Sequence, residues 1–107
     1  MTKVVLSKHF VRESKTLYKK HRSLAKDVVQ LIEELKLNPK LGTPLGKNCY
    51  KIRLKISSKQ SGKSGGARII THVYIEGDIL TLLAIYDKSE QSSISDTEIE
   101  KRLSEII

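Results

Sequence analysis

Lys51, Arg53 and Lys55 alternate with Tyr50, Ile52, Leu54 and Ile56. This is the two-residue period of a strand, so the apolar set points one way and the three cations the other. Cations at alternate strand positions stand about 7 Å apart, close to the spacing of successive phosphates along a single nucleic-acid strand. Such a row attracts a phosphodiester chain and carries ingredients for cutting one. Attack of a ribose 2′-oxygen on the adjacent phosphate needs an acceptor for the hydroxyl proton, a donor for the leaving 5′-oxygen and positive charge near the phosphoryl oxygens. Crowding of like charges favours the neutral form of a lysine, so Lys51 or Lys55 can take the proton while Arg53 and Arg68 clamp the phosphate. Arg68, near the start of the next strand, shares a face with Ile70, His72 and Tyr74, and Arg68 and His72 join the cations across the hairpin only if the register brings that face to theirs. Tyr86 and Glu90, at and just past the end of the last apolar run, are the candidates for the second proton transfer. Read as structure alone, Tyr86 is a strand-end aromatic with a wet hydroxyl and Glu90 a solvated acid or a partner for a nearby lysine.

The charge around these residues is lopsided. Met1 to Thr71 holds 17 basic and 4 acidic residues, and His72 to Ile107 holds 3 basic and 8 acidic, for a net charge of +8. From Lys40 to Arg68 eight cations meet no acid, a focused positive field that draws polyanions. Lys47, Lys55, Lys59 and Lys63 from this block, with Lys88 beyond it, are the expected RNA contacts; a lysine-rich solvated face is the plainer reading. Aromatic content of 5% with no tryptophan argues against a base-stacking platform. His9, His21 and His72 have no second ligand at metal spacing, so neither a metal nor a cofactor is expected. Cys49, alone and without a matched histidine and acid, reads as a packing residue. The basic Lys63-Ser64-Gly65-Gly66 stretch lacks the strand-to-helix context of a phosphate cradle. Apolar runs are far shorter than the ~20 residues that cross a bilayer, and one cysteine with no leader pattern suggests the cytoplasm.

The elements that must hold these residues follow from pattern. With 107 residues the chain is one domain spanning 1–107. Val4, Val5 and Leu6 form a strand handing over at a Ser7 cap to a helix with Phe10, Ser14, Leu17, Tyr18 and His21 at helical spacing. Leu24, Val28, Leu31, Ile32 and Leu35 define a second helix stopped by Asn38-Pro39. Lys40 to Asn48 reads as a loop. Strands follow from Tyr50, from Ala67 to Ile75 and from Ile79 to Tyr86, the first two joined by the flexible Ser57 to Gly66 connection and the last two by a Gly77-Asp78 turn. Ser95 with Glu98 makes a capping box, and Ile94 with Ile99 a hydrophobic staple, for a final helix. The order β-α-α-β-β-β-α implies an α+β fold, helices from both ends packed on a small, mainly antiparallel sheet. The core is expected on one sheet face; only the last helix is left to cover the other, cationic one.

Leu45-Gly46, Cys49-Tyr50-Lys51-Ile52-Arg53-Leu54, Gly66-Ala67-Arg68-Ile69-Ile70 and Tyr86-Asp87-Lys88-Ser89-Glu90 resemble, in order, segments of the RelE/ParE superfamily of toxins, and Lys-Ser-Gly-Gly-Ala-Arg is most similar to its HigB-like branch. The resemblance implies a small α+β toxin neutralised by a cognate antitoxin, its best-known relatives entering the ribosomal A site and cutting mRNA without a metal. Lys51, Arg53 and Arg68 fall on the positions that bind and activate the scissile phosphate in RelE-type toxins. Ser89 stands where the RelE pattern has an arginine, and Ile94 and Ser95 near its expected tyrosine; Tyr86, Lys88 and Glu90 are the substitutes by proximity. A ribosome-dependent endoribonuclease is the first reading. A ParE-like inhibitor of a protein target such as DNA gyrase, or an RNA-binding module without toxicity, are the others. All imply an acidic antitoxin as partner, with a toxin that is monomeric outside the complex and docks through apolar residues of the first helix or through Ile99, Leu103, Ile106 and Ile107.

Overall fold

The computed structural model describes residues 2–58 and 66–106. Strand β1 (Lys3–Leu6) hands over to helix α1 (Lys8–Lys20) at Ser7, whose Oγ accepts the Phe10 N–H at 3.1 Å, satisfying one of the open donors of the first turn. Helix α2 (Leu24–Leu37) ends at Asn38, before Pro39. Then come β2 (Thr43–Gly46), β3 (Cys49–Leu54), β4 (Ala67–Tyr74), β5 (Ile79–Asp87) and helix α3 (Asp96–Ile106). The sheet order is β1-β5-β4-β3-β2, with β1 parallel to β5 and every other pair antiparallel. Ser95 Oγ accepts the Glu98 N–H, so the α3 cap forms as expected, but the Glu98 carboxylate turns forward to Arg102 instead of back to the cap.

Two expectations change. Lys40 to Asn48 is not all loop: Thr43, Pro44 and Gly46 pair with Lys51, Tyr50 and Cys49 across a turn in which Lys47 and Asn48 both have positive φ, 54° and 61°. This is the conformation that two-residue hairpin turns require. An edge strand of four exposed residues pairs through its backbone and leaves no apolar period to read. The last helix does cover the second sheet face, and it makes a core there where a core on one face alone was expected. One core packs α1 and α2 on Ile52, Leu54, Ile69, Val73, Leu80, Leu82 and Ile85; a smaller one packs α3 residues Ile99 and Leu103 on Cys49, Ile70, Leu83 and Ala84.

A β-bulge lets β5 serve both cores. Ile70 pairs with Ala84 but Thr71 with Leu82, leaving Leu83 as the extra residue. Before the bulge the even positions Leu80 and Leu82 face α1 and α2; after it Ile85 does, and Tyr86 passes to the α3 side. Side chains meet backbone groups at the bulge. The Leu83 carbonyl accepts from Arg102 Nη1 at 3.0 Å and Ser7 Oγ at 3.4 Å, and the Ile85 N–H donates to Glu13 Oε1 at 3.3 Å. Buried backbone polar groups demand this.

Asp27, buried on α2, pins the chain leaving β3. Its carboxylate accepts the Ser57 N–H at 2.9 Å, the Ser57 Oγ–H at 2.5 Å and the Ser23 Oγ–H at 2.9 Å. Burial alone would raise its pKa, but the hydrogen bonds from Ser57 and Ser23 outweigh it and hold the group below its ordinary value of 3.8. A folded-state pKa below the unfolded one adds stability that is present above the unfolded value and is lost as pH falls through the folded one. The thermal unfolding midpoint is therefore expected to drop as pH is lowered below about 4, and part of that slope should vanish in Asp27→Asn.

Candidate nucleic-acid interface

The ladder brings three of the sequence-derived residues into one row. Arg53 on β3 pairs with Arg68 on β4, and Arg68 pairs with Tyr86 on β5. Directly paired residues hold their Cβ atoms about 5 Å apart on the same face. Lys51, one step along β3 on that face, pairs with Ile70. Arg53 is exposed and Lys51 half-buried, whereas Arg68 is only 5% exposed, its Nη1 donating to the Ala67 carbonyl at 3.2 Å. The row thus grades from an open arginine at its rim to a fixed one at its centre.

The Tyr86 hydroxyl lies at the inner end of the row, buried and without a hydrogen-bond partner among the described residues. Burial pushes its pKa above 10.0, against a smaller downward pull from the Arg68 charge. At neutral pH it keeps its proton and is a hydrogen-bond donor awaiting an acceptor. Lys88 extends the same edge of the site. Its N–H donates to the Gly66 carbonyl at 3.0 Å, continuing the ladder past β5, and its Nζ folds onto the Ser92 carbonyl at 3.0 Å.

Other residues singled out in the sequence lie elsewhere. Glu90 turns to the far side and pairs with Lys20 at the end of α1, Nζ to Oε1 2.9 Å, instead of joining the cations. Lys47, in the β2–β3 turn, pairs with Glu100 on α3. His72 pairs with Cys49 and Thr81 in the ladder, buried at the opposite end of the sheet from Arg68, and burial lowers its pKa. Cys49 packs in the α3 core, where burial raises its thiol pKa. Lys55 is exposed just past β3, while Lys59 and Lys63 fall outside the described residues. Beside β3 a cleft of about 510 Å³ is walled by Asp27, Gln30 and Glu34 on the α2 side and by Lys51, Arg53 and Lys55 on the β3 side, so cations of the row and carboxylates of α2 face the same space.

Sequence reasoning missed Asp87. It ends β5 between Tyr86 and Lys88 and is bound to Ser89 and His21. The signal was there: an aspartate followed two residues later by a serine is the pattern of an Asx turn. Among the described residues no three of His, Cys, Asp and Glu gather as a metal site. What the row can do is bind a phosphodiester, neutralise charge on its oxygens and present one proton donor at the inner end.

The family described as "RelE toxin of RelE / RelB toxin-antitoxin system" matches residues 2–106. Among solved structures, the isolated E. coli RelE toxin superposes with a TM-score of 0.63 at 14% identity, covering 100% of both chains. The toxin of the intact E. coli RelBE toxin-antitoxin complex gives 0.62 at 17% identity, over 81% of this chain and 96% of that one. A conserved hypothetical protein from Helicobacter pylori, HP0892, gives 0.52 at 24% identity, over 84% and 98%.

Proposed function

The chain belongs to the RelE toxin family of toxin-antitoxin systems, and from that premise we propose that it is a ribosome-dependent endoribonuclease that cuts mRNA and stops translation. The observation that carries this reading is the register Arg53–Arg68–Tyr86, which sets two guanidinium groups and a protonated phenol side by side on a basic strand face. In the proposed cleavage Lys51 takes the 2′-hydroxyl proton, Arg53 and Arg68 stabilise the charge on the phosphoryl oxygens, and Tyr86 donates to the leaving 5′-oxygen. Lys88 and Lys55 bind flanking phosphates. Glu90, tied to Lys20, has no part. The substrate sits on ribosomes, so the site of action is the cytoplasm; among the described residues no helix is long and apolar enough to cross a membrane. The decisive experiment is in vitro translation of a defined mRNA with and without the purified protein and ribosomes, mapping new 5′ ends by primer extension. Cuts that require ribosomes support the reading. Intact mRNA beside an inhibited topoisomerase would replace it with a gyrase-type target.

A cognate antitoxin is the partner, as RelB is for RelE in the related complexes. Ile99 and Leu103 are committed to the core under α3, and Ile107 falls outside the described residues. The surface that supports docking is a groove of about 520 Å³ between α1 and α2, lined by Leu6, Tyr18, Ala25, Val29 and Ile32 with Lys15 and Lys19 at its rim. Tyr18 is 50% and Val29 61% exposed, more apolar surface than a lone domain gains from showing. An apolar stripe flanked by acids fits it. Val29→Glu is expected to weaken antitoxin binding at least about tenfold by calorimetry, with the unfolding midpoint unchanged because the side chain is exposed.

A further inference from the structure

We infer that Asp87 is a positioning residue for the nucleic-acid interface, fastening the segment that carries Tyr86 and Lys88 to the end of α1 through His21. Asp87 alternates with its two neighbours and turns to the opposite side of the sheet, its side chain only 3% exposed. There Oδ1 accepts the Ser89 N–H at 2.9 Å and the Ser89 Oγ–H at 2.7 Å, while Oδ2 lies 3.2 Å from His21 Nε2. The Asp87 carbonyl accepts the N–H groups of Glu90 and Gln91, both at 3.0 Å. His21 is itself immobilised as the C-cap of α1, its N–H donating to the Leu17 carbonyl at 2.9 Å. Lys20–Glu90 adds a second tie one residue away.

A buried carboxylate is retained only where hydrogen bonds replace its water. Here those bonds close a turn and dock it on a helix end. What they do for the row is fix the last residues of β5. Tyr86 is one residue before the anchor and Lys88 one after it, so a slack turn would let both move together. Misplacing a catalytic group by about 1 Å costs up to a hundredfold in rate. Asp87 and His21 act through geometry and do not meet the substrate.

The consequence for rate rests on the nuclease reading, and the test separates the two. In ribosome-dependent cleavage of a defined mRNA, His21→Ala is expected to lower kcat about tenfold with KM within about twofold. His21→Gln, whose amide N–H reaches Oδ2, should recover to within about threefold of the wild type. Antitoxin affinity checks that each variant folds. Amide hydrogen exchange provides the second readout: in His21→Ala the Lys88, Ser89 and Gln91 amides should exchange faster, and the Val73 amide, bonded to the Asn48 carbonyl, should not. A wild-type kcat in His21→Ala, or a glutamine variant no better than alanine, overturns the inference. So does unchanged exchange at Lys88 and Ser89, whether or not the chain cuts RNA. Intact mRNA with the wild type overturns the nuclease reading alone, and the exchange data still decide what Asp87 holds.

Discussion

Arg68→Ala is expected to reduce ribosome-dependent mRNA cleavage by about a hundredfold or more, the scale of removing one preorganised donor from a site where negative charge develops. Arg68 is the middle of the row, with Arg53 on one side and Tyr86 on the other. Its 5% exposure means that little water competes with a bound phosphate for its donors. Arg68→Lys keeps the charge but not the planar fork and should fall between the two. Primer extension on a translated message reads the effect, and antitoxin affinity reports whether the fold survives. Cleavage by Arg68→Ala within threefold of the wild type would remove the arginine from the mechanism.

The second large effect is on stability. Arg102 on α3 donates Nη1 and Nη2 to the two carboxylate oxygens of Glu13 at 2.9 Å each, Nη1 also to the Leu83 carbonyl at 3.0 Å, and Nε to Glu98 at 2.8 Å. Burial opposes the charged form, but the bonds from Glu13 and Glu98 hold the guanidinium pKa above its ordinary value. Arg102→Met fills the volume but strips the Glu13 carboxylate of its cation and leaves the Leu83 carbonyl only the long bond from Ser7, and it should cost about 3 kcal/mol, lowering the unfolding midpoint by more than about 10 °C. Adding Glu13→Gln, which removes the orphaned charge and keeps an acceptor for the Ile85 N–H, should return at least about 1 kcal/mol in urea unfolding. A loss under 1 kcal/mol in the single variant would mean that α3 is held by Ile99 and Leu103 alone.

The reach of sequence reasoning differs from residue to residue. The apolar spacing of α2, the Ser7 and Ser95 caps and the alternation of β3 are local signals, and each led to the element observed. The hairpin register that puts Arg68 opposite Arg53 was not legible, because β4 buries Ile69 in one core and Ile70 in the other and so shows no single apolar phase. β5 was not legible either. Its continuous apolar run hides a bulge at Leu83, and a strict two-residue count from Leu80 and Leu82 would turn Tyr86 toward α1. Glu90 shows the opposite error. Nearness in sequence to the strand end suggested a place in the site, but the turn bonded to Asp87 carries its carboxylate to Lys20. The pairing of β2 and the second core under α3 depend on contacts between segments far apart in the chain, which no local window contains.

The parallel pairing of β1 with β5 sets a clock on the protein's own synthesis. Lys3 to Leu6 hydrogen-bonds against Ile79 to Leu82, so β1 waits for β5, the last strand of the sheet in chain order. At roughly 5 to 20 residues per second, that interval is about 4 to 15 seconds. Until then the nascent chain has neither the β5 ladder that aligns Arg68 with Tyr86 nor the partner that seats His21.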